Sequence, residues 1–416
     1  MPTGTGAWPC GSASLHDRRL GRVQHGWRVV APIIITRSMH MLTLIEGAEL
    51  YGPTALGRQD LLVADGRIAW LGRGLSVPAD WPLTRVDGRG RYLVPGLVDP
   101  LAHITGGGGE GGFGFRTPEL AAREALSAGV TTLVAALGTD SLTRSPAQVL
   151  GKVREFRAAG VSAFMYTGSY HLPVKTLTGT VESDIMLIPE VLGVGELAIS
   201  DHRSSAPTHD ELARLVSEAR VAGLLAGKSG VSFFHLGDGR GALAPLRALR
   251  DGTDIPLRQL YPTHCNRNPW LFAEAIEWGR AGGWVDLTTS SFPDLLDDGE
   301  RLAADALVEL LAAGVPADRI SFSSDANASL PRFDGEGRLI ELRCGQIDSL
   351  WQALVEACGK GVALEVALAV VTANPARALG LATKGTLAVG QDADLLLIDP
   401  DTLTIERVMS GGCWRT

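Results

Sequence analysis

The feature that most constrains the fold is a regular alternation of short apolar segments with longer amphipathic ones through the middle of the chain. Segments rich in β-branched and aromatic residues predict strands at 92–98, 131–136, 162–167, 192–199, 231–235, 259–263, 284–288 and 319–323. Stretches with helical spacing lie between them at 119–128, 149–159, 210–225, 269–280 and 300–313. Continuous apolar runs are typical of parallel strands buried on both faces. Eight such strands alternating with helices predict an α/β fold, a (β/α)8 TIM-like barrel over residues 91–380.

A doubly wound open sheet is the alternative architecture. It is less favoured because no G-x-G-x-x-G motif follows the first predicted strand. The glycine run at 106–109 lacks the Lys-Ser/Thr pair that completes a phosphate-binding loop. The barrel is therefore the favoured fold.

Both ends of the chain are rich in short strands. The segment 61–71 alternates apolar and polar residues about Asp65-Gly66, a hairpin signal, and a similar pattern returns at 385–399 and 405–409. We predict one small β-sandwich domain built from residues 41–90 and 381–416. Residues 1–40 carry Gly, Ser, Pro and Arg around one short apolar run. We expect them to be a disordered or non-native extension, with Met41 as the natural start.

Composition limits the partners and the compartment. The formal net charge of −8 argues against nucleic acid and anionic membranes, both of which favour basic patches. No apolar run reaches the ~18 residues of a membrane helix. The five cysteines are scattered singly, without a C-x-x-C motif, which is typical of a reducing compartment. We expect a cytoplasmic protein with a small-molecule substrate.

Polar side chains end several of the predicted strands, where a barrel carries its chemistry. They are His103, Tyr170, Glu196, His235, His264 and Asp325. Any one of these histidines is more often structural than a ligand, but their shared position at strand ends favours a metal site. Imidazole and carboxylate suit Zn²⁺ and similar cations. Water bound to such a cation becomes a nucleophile near neutral pH, and a neighbouring carboxylate can move its proton.

A set of motifs, in order along the chain, resembles isoaspartyl (β-aspartyl) dipeptidase of the amidohydrolase superfamily. The segments that carry the resemblance lie at 93–99, 106–112, 116–119, 137–140, 167–171, 200–203, 262–268 and 323–329. Gly-Gly-Gly-Gly-Glu at 106–110 and Ser-Asp-His-Arg at 200–203 are specific to that family. The segments 371–376 and 385–399 resemble the wider superfamily. The resemblance covers the chain from about Met41 to its end.

The resemblance implies a role for each matching residue. His235 and His264 match the ligands of a second, more buried metal, and Asp325 matches a first-metal ligand that serves as general base and then acid. Tyr170 matches the residue that polarises the scissile carbonyl. The substrate-binding positions are Glu110 for the α-ammonium, Arg203 and Arg267 for carboxylates, and the smaller contacts Thr139 and Ser329. The alternative for both arginines is an ion pair that only supports the fold.

Two positions depart from the family pattern. A bridging carboxylated lysine on the fourth strand is absent, and Glu196 is the candidate replacement because it offers two oxygens. The first strand ends in Leu101-Ala102-His103 where the family has His-x-His, so one ligand is a hydrocarbon. The first metal would keep His103, Asp325 and one oxygen of Glu196. We therefore predict one well-formed Zn²⁺ site and a second that is weakened by Leu101.

Two classes of function remain open. The favoured one is metal-dependent hydrolysis of β-aspartyl dipeptides. The other is a catalytically weak protein that keeps the pocket for binding or assembly. A third possibility, another amide or cyclic amide as substrate, is raised by the stretch Phe113-Gly-Phe115 beside Glu110. The resemblance also implies a homo-oligomer.

Overall fold

The computed structural model describes residues 42–78, 80–294, 296, 299–333, 336 and 338–416. The predicted extension at 1–40 and the predicted start at Met41 lie outside these residues. Within them, no helix combines the length and the apolar character that a membrane crossing requires. The cysteines in this part of the chain are unpaired: Cys265, Cys344, Cys358 and Cys413.

The first described residues form strands of a sheet at the N-terminal end. They are β1 (Leu42–Tyr51), β2 (Ala55–Ala64), β3 (Arg67–Gly72), β4 (Leu83–Asp87) and β5 (Tyr92–Pro95). β1, β2 and β3 pair antiparallel in succession. The turn between β2 and β3 falls at the predicted dipeptide, with φ of 56° at Asp65 and 75° at Gly66. Two successive positive φ angles fit a type I′ hairpin turn, which Asp-Gly favours.

Eight parallel strands form the barrel. They are β6 (Leu97–Ala102), β7 (Val130–Ala135), β8 (Ser162–Thr167), β9 (Val191–Ile199), β10 (Val231–Leu236), β11 (Leu260–Thr263), β12 (Val285–Thr288) and β13 (Ile320–Ser323). β6 to β11 pair in sequence order, as do β12 and β13. Backbone bonds close the two gaps: Cys265 N to Asp286 O at 3.0 Å, and Asp325 N to Leu101 O at 3.1 Å. The barrel prediction is confirmed.

Helices follow the strands and cover the barrel. They are α1 (Ala122–Ser127), α2 (Pro146–Ala159), α3 (Val181–Leu187), α4 (His209–Ala226), α5 (Ala244–Gly252), α6 (Pro269–Arg280) and α7 (Ala303–Ala312). The sequence sets their ends. Thr208 caps α4 in a reciprocal capping box with Glu211, and Gly227 ends it in the left-handed conformation. Apolar side chains between strands and helices form the main core, and a second apolar cluster fills the barrel interior.

The last part of the chain completes the barrel and then returns to the first sheet. A hairpin, β14 (Ser329–Phe333) and β15 (Leu339–Cys344), precedes α8 (Ser349–Gly359), α9 (Leu364–Val371) and α10 (Ala373–Ala378). β16 (Leu395–Ile398), β17 (Ile405–Ser410) and β18 (Cys413–Trp414) follow. β16 pairs with β5, so both chain ends share one eight-stranded sheet. This sheet has its own apolar core, as expected for a small β domain built from both ends.

The predicted strand 92–98 is two strands, not one. Gly96 divides it: β5 joins the terminal sheet, and β6 begins the barrel. A Cβ at this position would lie 2.2 Å from Oγ1 of Thr131 in β7, so the close approach of Gly96 to β7 requires glycine. The uninterrupted apolar pattern concealed this break because both strands are buried.

Candidate metal centre and active site

The predicted metal ligands come together at the carboxyl ends of the barrel strands. His103 follows β6, Glu196 lies within β9, His235 lies within β10, and His264 and Asp325 follow β11 and β13. All five residues are buried. Five strands of one barrel thus place their polar side chains in a common interior position, where the fold carries its chemistry.

Glu196 lies at the centre of this group. Its Oε1 is 2.8 Å from Nδ1 of His235 and 3.2 Å from Nε2 of His264. Its Oε2 faces the other way, 3.4 Å from Nε2 of His103, which in turn lies 3.1 Å from Oδ1 of Asp325. The two oxygens therefore divide the ligands into the pairs that the sequence predicted, one pair on each side of the carboxylate.

The charges of the group favour a cation. Burial favours neutral His103, but the carboxylates of Asp325 and Glu196 outweigh it and raise the pKa of His103 to about 10. Burial is also the main cause that lowers the pKa of His264 to about 4, with help from Arg267 and His235. Contacts with three histidines hold the pKa of Glu196 well below its usual value despite burial. A positive charge is thus attracted beside His103, and His264 keeps a neutral ring whose Nε2 faces Oε1 of Glu196.

Unsatisfied polar atoms show where a metal would fit. Ligand atoms of Glu196, His235 and His264 all lie within 4.8 Å of one another. Among the described residues, Nδ1 of His103, Oε2 of Glu196 and Oδ1 of Asp325 are buried without a hydrogen-bond partner. A buried polar atom without a partner costs about 1–3 kcal/mol. A cation bound by Oε2 of Glu196, Oδ1 of Asp325 and Nε2 of His103, which faces both oxygens, would remove that cost for the two carboxylates. The donor set, imidazole nitrogen and carboxylate oxygen, suits Zn²⁺.

Leu101 lies two residues before His103 and is fully buried. Its side chain belongs to the apolar cluster of the barrel interior, with Val134, Tyr166 and Phe233. It therefore points into the barrel and packs against hydrocarbon. The first barrel strand therefore carries a packed hydrocarbon side chain two residues before His103.

Glu110 gathers the small polar residues of the predicted substrate site. Its Oε1 accepts hydrogen bonds from Thr139 Oγ1 at 2.9 Å and from Arg203 Nη1 at 3.3 Å. Ser329 Oγ lies 3.2 Å from Oε2. Glu110 is not among the residues that border the central cavity, but its three partners are. Glu110 therefore lies behind these three partners, and a ligand ammonium would have to pass between them to reach its carboxylate and compete with Arg203 for Oε1.

Tyr170 and Arg267 approach the metal group from the cavity side. The Tyr170 hydroxyl is 2.8 Å from Nδ1 of His235. Burial, and next the charge of Glu196, raise the pKa of Tyr170 well above its usual value, so the phenol stays protonated and can donate. Arg267 Nη1 is 3.0 Å from Nε2 of His235 and donates to the carbonyl of Leu236. Both predicted substrate residues thus border the same cavity, which has a volume of about 300 Å³.

Two of the proposed ligands have strained backbones. His264 has a φ of 61° and Asp325 a φ of 52°, a left-handed conformation that costs non-glycine residues about 1–3 kcal/mol. His264 is the first residue after β11 and Asp325 the second after β13, and the Asp325 amide is fixed by the carbonyl of Leu101. Such strain is concentrated at functional sites, where the surrounding structure enforces it.

Comparison with solved structures identifies the family. The β-aspartyl dipeptidase of Fervidobacterium islandicum AW-1, solved in complex with β-Asp-Leu dipeptide, is 40% identical to this chain, with a TM-score of 0.86. The match covers 90% of this chain and 96% of that one. The chain belongs to the β-aspartyl dipeptidase family. It is therefore a hydrolase of the amidohydrolase superfamily.

Other comparisons point to the superfamily as a whole. The amidohydrolase family model matches residues 293–414. The allantoinase of Deinococcus radiodurans is 26% identical over 407 residues, covering 86% of this chain and 87% of its own. The imidazolonepropionase of Colwellia psychrerythraea is 27% identical over 143 residues, or 32% of this chain. The chain spans about a third of the length of the imidazolonepropionases that it matches.

The β-aspartyl dipeptidase fold also brings in residues that the sequence did not single out. Asp201, within the Ser-Asp-His-Arg motif, lies 2.9 Å from Nε2 of His235. The Thr288 hydroxyl contacts Nδ1 of His264. Asp201 and Thr288 each contact the ring nitrogen that does not face Glu196, and so orient the imidazoles of His235 and His264. The motif around Asp201 was a signal that could have found it, whereas Thr288 ends an ordinary apolar strand and carries no such signal.

Proposed function

We propose that this protein is a metal-dependent dipeptidase that hydrolyses β-aspartyl (isoaspartyl) dipeptides. The observation that carries the proposal is one cavity of about 300 Å³ whose lining includes three of the proposed metal ligands and three of the predicted substrate residues: His103, His235, Asp325, Arg203, Arg267 and Thr139. This volume is at the lower end for small-molecule sites, which favours a dipeptide over a longer chain. The family member solved with β-Asp-Leu supports the choice of substrate.

Two sets of residues would hold metal. His235, His264 and Oε1 of Glu196 form the better site, because their ligand atoms already converge. His103, Asp325 and Oε2 of Glu196 form a second, weaker one that lacks an imidazole at position 101. When bound, Zn²⁺ supplies Lewis acidity, which acidifies water and polarises the scissile carbonyl.

Asp325 and Tyr170 supply the proton chemistry. Burial would raise the pKa of Asp325, but His103 and His264 outweigh it and lower the pKa, so the carboxylate is ionised and can act as a base. It accepts a proton from the attacking water and returns it to the nitrogen of the breaking amide bond, which leaves as an amine. Tyr170 donates its hydroxyl hydrogen bond to the carbonyl oxygen, where negative charge develops.

The wall of the cavity recognises a zwitterionic substrate with two carboxylates. Glu110 accepts the α-ammonium, and Arg203 and Arg267 bind carboxylates, for which the planar guanidinium is suited. Thr139 and Ser329, already bonded to Glu110, hold that carboxylate in place. In a β-linked dipeptide the aspartyl residue keeps both its α-ammonium and its α-carboxylate free. An α-linked Asp dipeptide carries the same charged groups, but its free aspartyl carboxylate is the side-chain one, a methylene further from the α-ammonium. That carboxylate is out of reach of the arginine that binds the α-carboxylate and leaves that arginine unpaired.

The test is hydrolysis of β-Asp-Leu, with α-Asp-Leu as the matched control. The chelated protein should be inactive and should regain activity with Zn²⁺, and α-Asp-Leu should be cleaved at least about a hundredfold more slowly, because an unpaired buried charge penalises the wrong substrate. Zinc-loaded protein that cleaves no β-aspartyl dipeptide would contradict the proposal. Turnover of a cyclic amide in its place would identify a different amidohydrolase, and binding of β-Asp-Leu without turnover would identify a binding protein.

A further inference from the structure

Asp201 contacts both halves of the site. Its Oδ2 lies 2.9 Å from Nε2 of His235 and accepts from Arg203 Nη2 at 2.9 Å. Its Oδ1 accepts from Arg203 Nε at 3.0 Å and from the Arg203 backbone N–H at 2.6 Å. The Asp201 side chain is only 1% exposed. One buried carboxylate thus joins a proposed metal ligand to a proposed substrate-binding residue.

The contact with His235 bears on which ring nitrogen can bind a metal. A carboxylate only accepts hydrogen bonds, so Asp201 favours the tautomer with hydrogen on Nε2. The donors Arg267 Nη1 and Arg203 Nη2, 3.0 and 3.2 Å from the same Nε2, favour the opposite tautomer, and the Asp201 carboxylate is the nearest of the three groups at 2.9 Å. Nδ1 then carries the lone pair, and it faces Oε1 of Glu196 at 2.8 Å. The Tyr170 hydroxyl, 2.8 Å from Nδ1, can donate to that lone pair, and a cation between Nδ1 and Oε1 would remove the repulsion between the lone pair and the carboxylate oxygen. Carboxylate contacts of this kind orient imidazole ligands and raise their basicity.

The contact with Arg203 determines where the guanidinium points. Asp201 binds it through Nε and Nη2, a two-point geometry that fixes its plane. The remaining terminal nitrogen of Arg203, Nη1, lies 3.3 Å from Oε1 of Glu110. His171 supports the same residue by its contact with the Arg203 carbonyl at 2.8 Å. Arg203 is thus held ready at the cavity wall before any substrate arrives.

We propose that Asp201 is a positioning residue that sets the His235 tautomer for metal binding and fixes Arg203 for substrate binding. The second half rests on the proposed function, whereas the first concerns metal binding alone. Replacement by asparagine leaves at most one acceptor oxygen, and the amide N–H groups oppose the guanidinium. Asp201→Asn should therefore weaken both zinc binding and substrate binding, which are measured separately.

The first readout is zinc affinity without substrate, measured by competition with a chromophoric chelator. Asp201→Asn should bind Zn²⁺ about 10- to 100-fold more weakly than wild type, as expected when the carboxylate behind a metal-binding histidine is lost. The matched control is Asp210→Asn, which removes an aspartate that is 90% exposed on α4, and it should bind Zn²⁺ like wild type. Equal affinity of Asp201→Asn and wild type would overturn the proposal.

The second readout needs no variant at position 201. In ¹⁵N spectra of the metal-free wild type, the His235 resonance, assigned by its loss in His235→Gln, should show hydrogen on Nε2. Hydrogen on Nδ1 would overturn the proposal even if Asp201→Asn fails to fold.

The third readout distinguishes the effect of Asp201 on Arg203 from its effect on metal binding. With zinc at saturation, Asp201→Asn should still show a KM for β-Asp-Leu about tenfold above wild type, because a bond to a charged group is lost. A KM that returns to the wild-type value would overturn the Arg203 half. Wild type that binds zinc but does not cleave β-Asp-Leu would instead contradict the proposed function and leave the affinity result valid.

Discussion

Replacement of Leu101 by histidine tests the register of the first barrel strand. The position is two residues before His103, and its side chain faces the barrel interior. An imidazole there should add a fourth protein ligand to the site of His103, Asp325 and Glu196. We expect zinc content to rise from one tightly held ion to two per chain, measured by elemental analysis after dialysis against a weak chelator.

The same substitution should carry a cost in the metal-free protein. Leu101 is fully buried, so its loss removes about 1.5–3 kcal/mol of hydrophobic burial. A buried imidazole without a partner adds about 1–3 kcal/mol. Metal-free Leu101→His should therefore be about 2.5–6 kcal/mol less stable than wild type in urea unfolding, and zinc should restore more stability to the variant than to wild type.

Leu101→Ala is the matched control for this experiment. It opens a cavity, with a typical cost of about 2–5 kcal/mol, but it offers no ligand. It should lose stability without gaining zinc. If Leu101→His behaves like the alanine variant, with unchanged zinc content and no extra stabilisation by metal, position 101 does not face the metal centre and the reasoning is refuted.

Three further predictions concern the base, the substrate site and a buried acid. Asp325→Asn should lower kcat for β-Asp-Leu about 10²- to 10⁴-fold, the usual contribution of a general base, with KM changed much less in steady-state assays. Glu110→Gln should lower kcat/KM about 10- to 100-fold, because a bond to the charged ammonium contributes about 1.5–3 kcal/mol; an unchanged value would exclude contact with substrate. Asp286 is an acid in the barrel interior: burial, opposed by hydroxyl groups, raises its pKa from 3.8 to about 7. The folded protein keeps a proton that the unfolded chain releases, so the free energy of unfolding should fall as pH rises from about 4 to about 7, by up to about 4 kcal/mol. Asp286→Asn should flatten that slope in urea titrations at several pH values, and an equal slope in variant and wild type would be evidence against it.

Much of the fold follows from local pattern in the sequence. The eight barrel strands could be located because parallel strands buried on both faces are apolar throughout. The same property concealed the boundary at Gly96, where β5 leaves the barrel for the terminal sheet. Pairing across the chain, such as β16 with β5, depends on contacts between distant residues that no local pattern records.

The location of the site, but not its geometry, could also be predicted from the strand pattern. His235 and Asp325 end strands or follow them, so their common location follows from the barrel itself. The orientation of the side chains does not. The left-handed backbone of Asp325 and the contact of Asp201 with His235 arise from loops whose conformations tertiary structure enforces, and a sequence pattern contains no signal for a tautomer.

The role of Leu101 differs between its backbone and its side chain. Its carbonyl accepts a hydrogen bond from the Asp325 amide at 3.1 Å. This bond closes the barrel and holds the proposed base. Because it involves only backbone atoms, a residue of any type at position 101 can supply it. Asp99, whose Oδ1 lies 3.2 Å from the Leu101 amide and 3.0 Å from that of Ser324, ties the same two strands together. An imidazole could thus be exchanged for leucine without displacing Asp325. Leucine at this position removes one ligand from one proposed metal site and leaves the proposed base Asp325, the Glu196 carboxylate and the opposite set of proposed ligands in place, so the geometry favours a reworked metal centre over an abandoned one.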